Sequence, residues 1–237
     1  LSKLTKPTLN ILNQFIIFKQ LTSMNTNSDT NIPHDIVQFL DKKENVAIWG
    51  RKIPHWYQEH KTMFITFRLA DSLPNEAIES LRVDHLFNKN NFIVSDYRNK
   101  EQYRIALMRK IEQWLSNGHG KCILKHENVR KYVVEALNYY DGTEYIIHAF
   151  VVMPNHVHLL LSPLGNLPIN TVIGRVKSYS GHKIKTALDC NENIWQRDMF
   201  DRIVRNGDDF EKIMKYIEDN PKGLLKEHYT LYIRKYQ

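Results

Sequence analysis

Cysteine is nearly absent from this chain. Cys122 and Cys190 stand far apart and form no Cys-x-x-Cys pair, which argues against a disulfide framework and leaves a reducing, intracellular setting as the expectation. Long apolar runs are also missing: none reaches the ~18–20 residues that a membrane-crossing helix needs, so no membrane association is expected. The apolar piece FIIF at 15–18 is too brief for a signal-peptide core, and no small-residue cleavage site follows it. No internal repeat is visible. The 237 residues are 42% hydrophobic and 25% charged, a composition that argues for a globular chain rather than a disordered one. That length suffices for one good-sized core, or one domain with additions. The net charge of +7 favours an anionic partner such as nucleic acid, although charge governs association and not fold.

The first methionine is Met24, and residues 1–45 read as an N-terminal tail, part of it expected to lie upstream of the natural start. A first strand is expected from Lys61 to Leu69, ended by DSLP. Helices are expected at 75–90 (Ile78, Leu81, Val83, Leu86), at 98–116 (Tyr103, Leu107, Ile111, Trp114) and at 129–142, each with apolar spacing or a glycine stop. Two strands, 144–152 and 156–162, flank MPN and suggest a hairpin. A helix follows at 168–188, and another starts near Asp208. In that last helix DDFE offers a capping box, with Asp208 as N-cap and Glu211 at the third helical position, and Pro221 limits its end. This order implies an α+β domain with helices packed on an antiparallel sheet. The domain is expected over 46–228, with a helical insertion at about 75–142 and a C-terminal tail at 229–237.

The segment HAFVVMPNHVHLLLSP, 148–163, places His156 and His158 inside an apolar run. On a strand these two side chains share a face, while Val157, Leu159 and Leu161 take the other. Two imidazoles at this spacing can converge on one metal ion, or can be half-buried residues each hydrogen-bonded to a neighbour. Two ligands are also too few for a closed structural zinc site, and neither cysteine is near in sequence. In the last helix Tyr216 and Asn220 stand four apart, on one helical face. Taken alone, Tyr216 reads equally as a packing residue and Asn220 as a helix-ending one.

The stretches RKIPHWYQEHKTMFITFRLADSLP, HAFVVMPNHVHLLLSP, VKSYSGHKI, IWQRDMFDRIVRN and YIEDNPKGLL, taken in order, resemble the REP-associated tyrosine transposases, members of the HUH single-tyrosine transposase superfamily. The resemblance covers about residues 50–226. It implies a ferredoxin-like (RRM-like) antiparallel sheet with helices packed on one face, the paired histidines on a central strand, and a tyrosine helix lying across it. Carried over, Tyr216 becomes the nucleophile, and His156, His158 and Asn220 the ligands of a divalent cation. The implied activity is cleavage and rejoining of single-stranded DNA beside short hairpins or palindromic repeats, through a covalent 5′-phosphotyrosine. Nitrogen and oxygen ligation with open positions suits Mg²⁺ or Mn²⁺. Tyr179, in a basic helix, is the lesser candidate for the nucleophile.

Between 171 and 205 seven basic residues occur, interleaved with Trp195 and Phe200. Arg175, Lys177, Arg197, Arg202 and Arg205 are candidates for phosphate contact, and Trp195 for base stacking, with core packing its alternative. Two other readings of the chain stand beside the transposase: a catalytically silent nucleic-acid-binding module, and a metal-dependent nuclease using water. The loop at 206–208 looks short, so the tyrosine is expected to serve its own chain, in a monomer or a homodimer.

Overall fold

In the computed structural model the described residues are 36–44, 46–49, 55–81 and 97–236. Short strands β1 (Ala47–Trp49) and β2 (His55–Tyr57) pair as a separate antiparallel ribbon. The main sheet comprises β3 (Met63–Arg68), β4 (Tyr145–Val152), β5 (His156–Pro163), β6 (Phe200–Ile203) and β7 (Thr230–Ile233). Its order is β6-β3-β5-β4-β7, and every neighbouring pair is antiparallel. Without β7, the four strands lie in the spatial order fourth, first, third, second, with helices between first and second and between third and fourth. This is the split βαβ arrangement of a ferredoxin-like sheet. β5 is the middle strand, as expected for the histidine pair.

Five helices complete the described fold: α1 (75–81), α2 (Tyr97–Ser116), α3 (Glu127–Asn138), α4 (Ile169–Leu188) and α5 (Gly207–Asp219). The period of two in the strands decides what each face receives. Ile65, Phe67, Val157, Leu159 and Leu161 turn to one face, where Val129, Val133 and Leu137 of α3 and Val172, Ile173 and Val176 of α4 cover them. Phe64 and Leu160 turn to the other face, where α5 lays down Phe210, Ile213 and Ile217. A bulge in β4 between Ile147 and Ala149 brings Ala149 and Val151 to that second face as well. Burying the three α5 side chains contributes on the order of 5–9 kcal/mol before the entropy of ordering the helix. Helices α3 and α4 thus cover one face, and the tyrosine helix crosses the opposite one.

Four expectations change in detail. The N-cap of α5 is Asn206, whose side chain accepts from the Asp209 amide at 2.8 Å, rather than Asp208. Asp209, inside the first turn, holds Arg202 at 2.8–3.1 Å and accepts from the Arg205 amide. The expected insertion at 75–142 divides in two. Helix α3 belongs to the ferredoxin-like core, whereas α1 and α2 are the addition and pack through Ala77, Leu107, Ile111 and Leu115 against Phe200 at the β6 end. Val83 and Leu86 of the expected helix at 75–90 lie outside the described residues. The expected C-terminal tail supplies β7, paired with β4, and Arg234 adds an ion pair to Asp141 at 2.6 Å. Within the expected N-terminal tail, residues 1–35 lie outside the described residues, while Val37 is buried and the Leu40 amide donates to the Val204 carbonyl at 2.8 Å. Among the described residues no helix is long and apolar enough to cross a membrane.

Candidate functional site

The two histidines of β5 share a face because one residue separates them, and both are fully buried beneath α5. Each ring is held from behind. Asn155, in the β4–β5 turn, donates its amide hydrogens to the carbonyls of Leu115 and His119, both at 3.2 Å. That pair fixes the amide orientation, so Oδ1 faces His156 Nδ1 at 2.7 Å and can only accept. The His156 proton is therefore on Nδ1, and its Nε2 presents a bare lone pair to the site. Burial, and then His158, lower the His156 pKa to about 3, which keeps the ring neutral. His158 Nδ1 is held by Thr66 Oγ1 of β3 at 2.8 Å.

The two Nε2 atoms meet 3.0 Å apart. Glu112, on the face of α2 turned to the sheet, closes the third corner. Its Oε1 lies 3.0 Å from His158 Nε2 and 3.7 Å from His156 Nε2. The three ligand atoms fall within 4.8 Å of one another. Acceptor atoms aimed at a single point repel unless a proton or a cation lies among them, and with ring orientation set from outside this donor set fits a divalent ion. Burial pushes the Glu112 carboxyl up, but His158, His156 and the Tyr216 hydroxyl more than reverse that and hold it at about 2.

Tyr216 reaches the same point from above. Its hydroxyl is 3.4 Å from His158 Nε2, and Glu112 and Asn220 lie close enough to act on its titration. Its ring stands edge-on to Phe64, with centroids 5.9 Å apart, and remains 36% exposed. Burial, followed by the Glu112 charge, pushes the phenol well above its ordinary pKa, while Asn220 acts in the opposite direction. The hydroxyl is a neutral donor here. His156, His158, Tyr216 and Asn220 are thus brought together. In this arrangement Asn220 lies beside the tyrosine, and Glu112 takes the corner beside the histidines.

The candidates for DNA contact are dispersed. Lys177 donates to the carbonyls of Gln196, Arg197 and Asp198 at 3.0–3.2 Å, and burial lowers its pKa to about 8. Arg175 holds Glu144 at 2.7 and 2.8 Å. Arg202 is committed to Asp209. Trp195 is buried, donates to Ser180 Oγ at 3.0 Å and packs edge-on against Phe67. Arg197 and Arg205 are exposed, and so is Tyr179, far from the histidines on α4.

Glu112, Asn155 and Thr66 escape a reading of motifs. A trace of Glu112 is present in the sequence, since it follows Met108 by four and precedes Leu115 by three, which puts an acid on an apolar stripe.

Residues 119–220 match the family model described as "Transposase IS200 like". No curated protein matches the chain. A solved structure described as "Structure of the REP associates tyrosine transposase bound to a REP hairpin" aligns over 73% of this chain and 74% of its own, at 17% identity and a TM-score of 0.40. The matched span contains the stretches HAFVVMPNHVHLLLSP, VKSYSGHKI and IWQRDMFDRIVRN. Over 119–220, the segment that carries His156, His158, Tyr216 and Asn220, the chain is similar to the IS200-like transposases.

Proposed function

We propose that this chain cleaves and rejoins single-stranded DNA beside short hairpins, with Tyr216 as the nucleophile. The observation that carries this reading is the Tyr216 hydroxyl, 3.4 Å from a nitrogen of the three-cornered donor set formed by His156, His158 and Glu112. In the reaction the Tyr216 oxygen bonds to the scissile phosphorus and the P–O3′ bond breaks. This leaves a 5′-phosphotyrosine and a strand ending in O3′. The phenolic proton is released as the new P–O bond forms, and a proton ends on the departing O3′, so the step is neutral in protons overall. Attack by a 3′-hydroxyl runs the same steps backwards, so the bond is kept in the linkage and no nucleotide triphosphate is consumed. Asn220 and Phe64 hold the phenol in place. His156, His158 and Glu112 would hold the ion, Mg²⁺ or Mn²⁺, with Asn220 adjacent as a further oxygen donor. When bound, the ion neutralises charge developing on the phosphate and offsets the carboxylate that now disfavours phenolate.

The test is covalent capture. Wild type and Tyr216→Phe are mixed with labelled single-stranded DNA carrying a hairpin, in Mn²⁺ or in EDTA. A protease-sensitive adduct that needs both the tyrosine and the metal supports the reading. Cleavage that survives in the Phe variant replaces it with metal-activated water. Binding without cleavage in either protein reduces the chain to a nucleic-acid-binding module.

A further inference from the structure

Beside Tyr216, between α2 and α5, lies a cavity of about 350 Å³. Its apolar part is made by Phe64, Met108 and Ile213, and Glu112 and Tyr216 close the end next to the histidines. Two cations rim it, Arg109 from α2 and Lys212 from α5. Both are exposed, and among the described residues no carboxylate pairs with either. The third basic residue of the lining, Arg202, is neutralised by Asp209.

The spacing gives this cleft its meaning. Lys212 precedes Tyr216 by four residues and Arg109 precedes Glu112 by three, so each cation sits about one helical turn, roughly 5.4 Å along its axis, from the group that meets the scissile phosphate. A cation on each wall at that distance suits the next phosphate along a strand, because neighbouring phosphates are separated by a comparable step. The volume is near the lower end of small-molecule sites, about 300–1,000 Å³, which admits one base and not two. An apolar floor beside an exposed phenol ring offers a surface for an unstacked base.

We propose that this cleft is a nucleotide subsite, which takes the base adjoining the scissile bond onto Phe64, Met108 and Ile213 and brackets its outer phosphate between Arg109 and Lys212. The assignment of the base to the scissile bond rests on the reaction proposed above; the nucleotide chemistry of the cleft does not.

The experiment uses the full chain with labelled methionine and isoleucine methyls. Deoxynucleoside 5′-monophosphates are titrated in, and inorganic phosphate is titrated in parallel. The mononucleotides shift the Met108 and Ile213 methyl signals saturably, and phosphate alone does not. Arg109→Ala and Lys212→Ala each weaken that binding roughly tenfold, the loss expected for one charged phosphate contact. In the capture assay, an abasic residue adjoining the scissile phosphate on one side slows adduct formation roughly tenfold, and one placed two nucleotides away does not. Methyl signals that ignore mononucleotides overturn the proposal, as do signals that respond equally to phosphate. Capture that proceeds at full rate with abasic residues on both sides also overturns it. Nucleotide binding without any capture supports the cleft and counts against the transesterase alone.

Discussion

Asn155 makes no contact with Tyr216, yet it decides where His156 points, and replacing it separates positioning from packing. Asn155→Ala removes three hydrogen bonds: one of 2.7 Å to His156 Nδ1, and two of 3.2 Å to the carbonyls of Leu115 and His119. At about 0.5–1.5 kcal/mol each, with buried partners left unpaired, the loss is about 3 kcal/mol. For a chain of this size that lowers Tm by about 6–12 °C. Freed of its outer partner, His156 can also turn or move its proton to Nε2, where the lone pair is needed, and this costs 10–100-fold in divalent-ion affinity. Asn155→Asp is the discriminating variant. It restores an oxygen to His156 but faces two carbonyls with a carboxylate, so Mn²⁺ affinity returns to within a few-fold while the low Tm persists. Titration calorimetry with Mn²⁺, alongside thermal unfolding, reads both quantities. The reasoning is refuted if Asn155→Ala unfolds early but binds Mn²⁺ as wild type does.

Three further predictions follow from the same geometry. Glu112→Gln keeps the shape and removes the charge; Mn²⁺ affinity falls by about 100-fold, on the scale of removing one partner from a buried charge pair, and in metal-free protein the Tyr216 phenol titrates at lower pH, read by phenolate absorbance. His148, buried between Ser162 and Tyr236, has its pKa lowered by burial and by Arg234 to about 3. The native ring therefore stays neutral while the unfolded one takes up a proton below about 6.5, so its contribution is complete above that pH and is lost as pH falls toward 3; at pH 5 the loss is about 2 kcal/mol. Denaturant unfolding at pH 7.5 and pH 5 should show His148→Gln closing on wild type by that amount. Lys177→Met releases three carbonyls and lowers stability by about 2–3 kcal/mol in denaturant, yet leaves the salt slope of single-strand binding unchanged, whereas Arg197→Ala, if that exposed side chain meets a phosphate, reduces the slope by about 0.7.

Much of this site is legible in the sequence, for identifiable reasons. The β4–β5 hairpin announces itself through two largely apolar stretches on either side of MPN, and the period of two places His156 and His158 on one face. Asn-Pro marks the end of α5, and a spacing of four ties Tyr216 to Asn220. Strands β1, β2, β6 and β7 span only three or four residues, too few for alternation to stand out from background. Glu112 enters from a helix that the motifs do not cover, and only packing of α2 against the β6 end brings it to the histidines. The basic stretch is harder to read, because composition records charge but not its partner. In this structure Lys177, Arg175 and Arg202 hold carbonyls and carboxylates of this chain, and Trp195 is buried against α4 with its indole nitrogen on Ser180 Oγ.

The connection from β6 to α5 is only residues 204–206, and it is pinned at both sides of Val204, whose amide donates to the Thr62 carbonyl at 2.8 Å while its own carbonyl accepts from Leu40 at 2.8 Å. With a linker this short and this fastened, the phenol and the histidine pair that meet in this structure belong to one polypeptide. For the reaction proposed above, the expected outcome of mixing a copy lacking its histidines with a copy lacking its tyrosine, in any ratio, is that covalent capture is not restored.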